Sequence, residues 1–255
     1  MTMEDNLATC SLLSVSDKSL SLESAKADIT PIPKPGSAEF ARLCRALDHR
    51  SFGYRVIKRL FDIVFSACVV IVGFIPSVIL SIAVAAETKG SPIYSQMRVG
   101  KHGKPFRIYK FRSMVADADD VGKYFTPEQL VVWKRERKVD NDPRITKLGR
   151  IIRETSIDEL PQFLNVLSGQ ISIIGPRPIT YDELREFGDD AALLCSLPGG
   201  VTGLWQVSKR NDATFESGER QRIELEYVRK AGLVMDAKCF FGTFGAIFGK
   251  NRSGR

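Results

Sequence analysis

Residues 63–86, IVFSACVVIVGFIPSVILSIAVAA, carry no charged side chain between Asp62 and Glu87. As a straight helix these 24 residues would extend about 36 Å, enough to span a bilayer core. A core helix of a soluble protein rarely stays apolar around its whole circumference for that length, so the segment reads as membrane-inserted. Pro76 lies near its middle, where a proline removes an i→i−4 hydrogen bond and bends the helix, and Gly73 adds slack. Both flanks are basic: Arg55, Lys58 and Arg59 precede the segment, and Lys89, Arg98, Lys101, Lys104, Arg107, Lys110 and Arg112 follow it. The positive-inside rule assigns both flanks to the cytoplasmic side, which a helix breaking at Pro76 and returning would satisfy. The residues alone leave a tilted single span as the alternative, since long domains translocate regardless of charge.

Outward from this segment, 255 residues suffice for one substantial domain with appended pieces. The net charge of +7 is unevenly placed, with six Lys/Arg against seven Asp/Glu in residues 1–54 and 31 against 23 in the rest. That surplus favours acidic partners such as anionic lipid or phosphorylated substrates. Residues 1–37 are rich in Ser, Lys and Pro, lack a cleavable signal pattern, and read as a weakly ordered tail. Residues 38–50 could form a short helix through Phe40, Leu43 and Leu47. The five cysteines (Cys10, Cys44, Cys68, Cys195, Cys239) are scattered without CxxC spacing, so they read as reduced cytoplasmic thiols with no metal cluster. His49 and His102 have no company for a zinc site, and His102 reads as a solvated turn residue.

After the membrane segment, Ile93-Tyr94 and Phe106–Phe111 alternate like strands joined by a Gly-rich turn at 100–103. Lys110 falls on the same strand face as Phe106 and Ile108, so it either snorkels or points at a ligand. Residues 115–140 read as a polar helical excursion around Trp133.

Chemistry concentrates between residues 142 and 178. Arg144, Lys147, Arg150 and Arg153 recur at three-residue spacing opposite Ile145, Leu148, Ile151 and Ile152, a pattern with one basic and one apolar helical face. Ser156-Ile-Asp-Glu159 fits a capping box, but Pro161 would then fall inside the helix, where its ring clashes with a carbonyl. With Asp158 as the N-cap, Pro161 becomes N3, and the Asp158 carboxylate is left partly free at a positive helix terminus that also attracts phosphate. Leu160, Phe163, Leu164 and Leu167 then make a core-facing stripe ending at Ser168-Gly169. Ile171–Ile174 reads as a short buried strand delivering Gly175-Pro-Arg-Pro178, whose prolines hold Arg177 rigidly, as a ligand clamp would. Residues 197–211 form a Gly-rich loop around Trp205, itself either core or a stacking platform. A charged helix over about 216–238 packs through Tyr227 and Val228. Phe240, Phe241, Phe244, Ile247 and Phe248, with Lys250, Arg252 and Arg255, suggest a tail at the membrane interface.

Six motifs in order, KRLFD (58–62) with its apolar segment, IYKFRSM (108–114), DPRIT (142–146), SIDELPQFLNVLSG (156–169), IIGPRP (173–178) and PGGVTGLWQVSKR (198–210), cover roughly residues 55–250. Together they resemble the bacterial sugar transferase family, the monotopic polyprenol-phosphate phosphoglycosyl transferases. The resemblance implies an α/β fold, mostly α with short strands: a re-entrant N-terminal membrane helix followed by a compact cytoplasmic catalytic domain with interfacial helices. The corresponding boundaries are a variable tail at 1–54, a helix-break-helix at 55–88 with its break at Pro76, and a catalytic domain at 89–255.

The implied reaction transfers sugar-1-phosphate from a UDP-sugar to undecaprenyl phosphate, releasing UMP, in exopolysaccharide or glycoconjugate synthesis at the cytoplasmic face of the bacterial inner membrane. By analogy Asp158 is the nucleophile, Glu159 holds Mg²⁺, and Lys110, Arg153, Arg177 and Arg210 bind substrate phosphates. Membrane lipid is an expected partner, a homodimer is allowed, and nucleic acid is not expected. The chain departs from the family pattern at Ile75-Pro76, where Ser-Pro is common, at Leu197 for an arginine, and at Lys209-Arg210 for Gly-Arg. Two other readings keep the same residues: a membrane-bound Mg²⁺-dependent phosphodiesterase, and a basic membrane adaptor acting through Arg144, Lys147 and Arg150, which gives Asp158 and Glu159 no role.

Overall fold

The computed structural model describes residues 33–136, 139–208 and 217–248, which apart from Pro33 belong to one compact unit beginning at Lys34. Helix α1 (Ala38–Leu47) starts where the Ser37 hydroxyl accepts the Phe40 N–H at 3.1 Å. It buries Phe40 and Cys44.

Helix α2 (Phe52–Thr88) is 37 residues long and begins at Ser51, whose hydroxyl accepts the Tyr54 N–H at 3.2 Å. It passes through Pro76 without interruption, so the expected break into two helices is not seen. A single proline removes one ladder bond and bends a helix without having to end it. Tyr54, Lys58, Asp62 and Ser66 form a buried stripe at four-residue spacing, and Val84 and Thr88 resume it at the far end. Between them no described residue is buried, and Ile71 and Val72 are 75% and 78% exposed. Both ends grip the same body. Asp62 accepts from the Ser172 hydroxyl and the Ile173 N–H, each at 3.0 Å, while Glu87 accepts the Leu148 N–H at 3.2 Å.

Strands β1 (Ile93–Val99) and β2 (Pro105–Phe111) pair antiparallel, with Tyr94 opposite Lys110 and Arg98 opposite Phe106. The 3-10 turn Lys101–Gly103 joins them, and α1 packs against it. Gly103 has φ +73°, and a Cβ there would lie 2.6 Å from the Gly36 nitrogen, so the α1 contact needs glycine twice over. Short helices α3 (Val121–Tyr124) and α4 (Pro127–Glu136) fill the excursion expected around Trp133.

Helix α5 (Lys147–Glu154) is capped by Thr146, whose hydroxyl accepts the Gly149 N–H at 2.9 Å. Arg144 therefore precedes the helix and does not share its basic face. It is buried, bonded to Asp142 at 2.6 and 2.9 Å, and lies over the Phe125 ring. Lys147 and Arg150 stay exposed.

Helix α6 (Gln162–Leu167) also departs from expectation: Leu164 is exposed, whereas Gln162, Asn165 and Val166 are buried. The Asn165 amide explains the rotation. It donates to the Arg107 carbonyl at 2.7 Å and accepts the Tyr109 N–H at 3.1 Å, satisfying the free edge of β2 that a leucine would leave bare.

Strands β3 (Ser172–Ile174) and β4 (Gly200–Thr202) pair in parallel. The glycines around them are a packing device: a Cβ on Gly203 would overlap the Gly175 carbonyl, and one on Gly175 would lie 2.7 Å from the Pro198 carbonyl. After α7 (Tyr181–Arg185) and α8 (Ala191–Leu194), helix α9 (Leu204–Ser208) leads toward α10 (Glu219–Arg229) and α11 (Leu233–Phe248). Tyr227 and Val228 are fully buried as expected. Of the aromatic tail, Phe240 packs on the core, while Phe241 and Phe244 are exposed. The Ile247 and Phe248 side chains and residues 249–255 lie outside the described region.

Candidate active site

The Asp158–Glu159 pair sits in a reversal between α5 and α6. Thr155 ends α5, Ser156 adopts a left-handed conformation at φ +57°, and Ile157–Glu159 form a 3-10 turn closed by Leu160 N–H to the Ile157 carbonyl at 3.1 Å. Neither helical arrangement weighed for this stretch occurs, because α6 begins only at Gln162 with Pro161 at its cap. Proline is tolerated there, since no intrahelical bond needs its missing N–H. The turn leaves Asp158 buried and Glu159 half-buried.

Strand β2 brings Lys110 to this pair. Its ammonium donates to Glu159 Oε1 at 2.7 Å and lies 3.9 Å from Asp158 Oδ2. The side chain thus ends on the two carboxylates. Strand alternation puts it on the face of Phe106 and Ile108, and the turn at 157–159 meets that face.

A second cluster surrounds Arg177, the centre of Gly175–Pro178. Its N–H donates to Glu224 Oε2 at 3.2 Å, and its guanidinium stands 5.4 Å from the Trp205 ring centre. Arg220 of α10 faces the same indole at 4.6 Å and approaches Glu183 at 3.7 Å. Arg98 of β1 bonds Glu183 at 3.0 Å. Burial, and then the charge of Arg177, pushes Arg220 down to about 10. Burial likewise raises Glu224 to about 7, against the pull of Arg220 and Arg177. Glu183 moves the other way: burial alone would raise it, but the Thr180 N–H and the charges of Arg98 and Arg220 hold it below the usual range. Arg98, Arg177 and Arg220 thus face one half-buried carboxyl, Glu183, and one buried carboxyl, Glu224, that is reluctant to ionise, which leaves positive charge suited to an anion.

Arg98, Arg220, Glu183 and Glu224 were missed in the sequence. Only Arg98 carried a signal, because the hairpin register puts it on the strand face that also holds Lys110.

One cavity of about 310 Å³ joins these groups, with Lys110, Glu159, Arg98 and Arg177 in its wall. The rest of the wall is largely apolar and includes Phe65 of α2, Phe163 of α6, and Phe240 and Phe244 of α11. Asp158 is not part of this wall; its Oδ2 lies 3.9 Å from the ammonium of Lys110, which is. Arg153 is half-buried on α5, where its charge helps hold the Asp142 carboxyl low; it is not part of this wall. Arg210 lies outside the described residues.

Among the described residues no group of three or more His, Cys, Asp or Glu side chains could cage a metal. The adjacent carboxylates of Asp158 and Glu159 still suit Mg²⁺, which typically uses one or two carboxylates and completes its shell with substrate phosphates and water.

The chain matches the family model for bacterial sugar transferases over residues 53–250. It is 43% identical over 192 residues to the undecaprenyl-phosphate galactose phosphotransferase of Salmonella typhimurium, covering 74% of this chain and 40% of that protein. It is 38% identical over 194 residues to the exopolysaccharide production protein ExoY of Rhizobium meliloti, covering 74% of this chain and 84% of that one. A Klebsiella pneumoniae UDP-glucose:undecaprenyl-phosphate glucose-1-phosphate transferase is 38% identical over 197 residues, covering 74% of this chain and 39% of that one. The chain thus spans about two fifths of the Salmonella and Klebsiella proteins and most of ExoY.

Proposed function

Because the chain belongs to the bacterial sugar transferase family, we propose that it is a phosphoglycosyl transferase moving sugar-1-phosphate from a UDP-sugar to undecaprenyl phosphate. The observation that carries this reading is the Lys110 bridge to Glu159 and Asp158 beside an arginine-lined cavity. An Asp158 oxygen attacks the phosphorus bearing the sugar, an O–P bond forms, and the bond to UMP breaks, with UMP taking the electron pair. A phosphate oxygen of the acceptor then attacks the same phosphorus, the Asp158–phosphorus bond breaks, and the carboxylate is restored. Lys110 counters charge on the equatorial oxygens during both displacements, and Arg177 and Arg98 hold the nucleotide's phosphates. Glu159, with Asp158 beside it, would hold Mg²⁺, which when bound neutralises phosphate charge and polarises the phosphorus.

The same reading accounts for α2. A segment bare and apolar in its middle, yet held at both ends by one body, suits a helix that dips into the bilayer and returns by bending at Pro76 while staying helical. On this reading α2 is a re-entrant membrane anchor, and the basic residues on both of its flanks favour a body on the cytoplasmic face of the inner membrane. The test is UMP release from UDP-galactose or UDP-glucose with Mg²⁺ in detergent, with and without undecaprenyl phosphate. Release that depends on the acceptor supports transfer. Equal release without it would make the protein a phosphodiesterase.

A further inference from the structure

The cavity wall holds more apolar surface than a nucleotide sugar can use. Phe65 stands 6.1 Å from Phe163 and 5.4 Å from Phe240, and Phe240 stands 5.4 Å from Phe244, all between ring centres. With Val69, four of these side chains come from the membrane helix α2 and the last helix α11, and the fifth, Phe163, comes from the helix that follows the acid pair. The patch continues outward. Phe244 is 47% exposed, and the unburied middle of α2 begins just past Ser66. A UDP-sugar is polar from end to end, so burying it against five hydrocarbon side chains would desolvate hydroxyls without replacing their hydrogen bonds. A ligand with an anionic head and a hydrocarbon tail fits both parts of the wall, head toward Lys110 and Arg177, tail along the rings.

We propose that Phe65, Val69, Phe163, Phe240 and Phe244 form the seat for the head-proximal isoprene units of the lipid acceptor. This rests on the transferase reading above and adds to it the place where the acceptor's tail enters. The methyl-branched, unsaturated chain packs against ring faces, and its phosphate is thereby aimed at the reacting phosphorus. The seat recognises the tail itself, apart from any role of the same residues in holding the protein to a bilayer.

Two variants test it. Phe244→Ala removes a partly exposed ring, and Val69→Trp fills the seat. Val234→Ala, at an 86% exposed position outside the cavity, is the control. Farnesyl phosphate in detergent is the main probe, because it carries the head-proximal units but needs no bilayer. Both variants should lower kcat/KM for farnesyl phosphate about tenfold or more, a loss equivalent to about 1.4 kcal/mol or more, while KM for the UDP-sugar moves less than twofold. Unchanged farnesyl phosphate kinetics, with a loss only for undecaprenyl phosphate in vesicles, would mean a membrane anchor and overturn the proposal.

A turnover-independent measurement separates this from failure of the transferase reading. A farnesyl phosphate analogue with a benzophenone at its second isoprene unit should crosslink to residues 233–248, and undecaprenyl phosphate should compete. Crosslinking in a protein without transferase activity would sink the reaction and keep the seat. Transfer without crosslinking there would do the reverse.

Discussion

Lys58→Met probes the junction that fixes the membrane helix to the catalytic body. Asp236 of α11 is buried, and it accepts from Lys58 Nζ at 2.7 Å, Tyr54 OH at 2.7 Å and Tyr227 OH at 2.7 Å. Three helices therefore meet on one carboxylate, and the Tyr227 hydroxyl also approaches the Ile174 carbonyl at 3.2 Å, next to Gly175–Pro178. Methionine keeps the length and apolar stem of lysine but leaves the carboxylate buried without its cation. Breaking a buried pair costs about 3–5 kcal/mol. The two tyrosine donors remain, so the low end applies, about 3 kcal/mol. For a domain of this size each kcal/mol moves the melting point by about 2–4 °C, so a drop of about 6–12 °C is expected. Thermal unfolding in detergent, followed by tryptophan fluorescence, reads it directly. Adding Asp236→Asn should raise the melting point of Lys58→Met, because no buried charge is then left alone. A Lys58→Met protein melting within about 2 °C of the parent, or a double variant melting lower by the sum of the singles, would refute the reasoning.

Other consequences follow from single contacts. Gly203→Ala should abolish folded expression or lower stability by more than about 3 kcal/mol, because its Cβ would overlap the Gly175 carbonyl; retention of parental melting would contradict the close approach of β3 and β4. Arg59→Ala removes guanidinium bonds to the Val166 and Leu167 carbonyls at 2.6 and 2.9 Å, which cap α6, and should cost about 2 kcal/mol, read from the melting curve. Glu224 gives a pH signature. Its folded value, raised to about 7 by burial, exceeds the ordinary 4.5, so the folded state holds a proton that the unfolded chain releases between those values. Stability from this group is therefore lost as pH rises from 4.5 toward 7, by at most about 3 kcal/mol. Glu224→Gln should match the parent near pH 4.5 and exceed it above pH 7, and equal stability at both ends would remove the buried-acid account.

Much of the site was legible because chemistry forces rare combinations into short stretches. Adjacent acids before a proline, a lysine on an apolar strand face and an arginine between two prolines each pointed to function, and Lys110, Glu159 and Arg177 do share one cavity. What the sequence concealed depended on tertiary partners. Leu164 looked like core, but the edge of β2 supplies partners for the Asn165 amide, which takes the buried side instead. Arg144 appeared to continue a helical basic face, but Asp142 claims it two residues away. Arg220 and Glu224 sit on a charged helix whose sequence singles out neither, and only the approach of Trp205 and Arg177 reveals their partners. Pro76 suggested an interruption, whereas the ladder around it is long enough to continue.

Asp158 carries the proposed covalent route. The purified protein, given radiolabelled UDP-sugar and Mg²⁺ without acceptor, should carry label on the peptide containing Asp158. Hydroxylamine should release it, as an acyl phosphate requires, and subsequent undecaprenyl phosphate should discharge it into lipid. Asp158→Asn should show neither label nor transfer. An unlabelled parent that transfers sugar phosphate, or an Asp158→Asn protein that turns over normally, would contradict the covalent route.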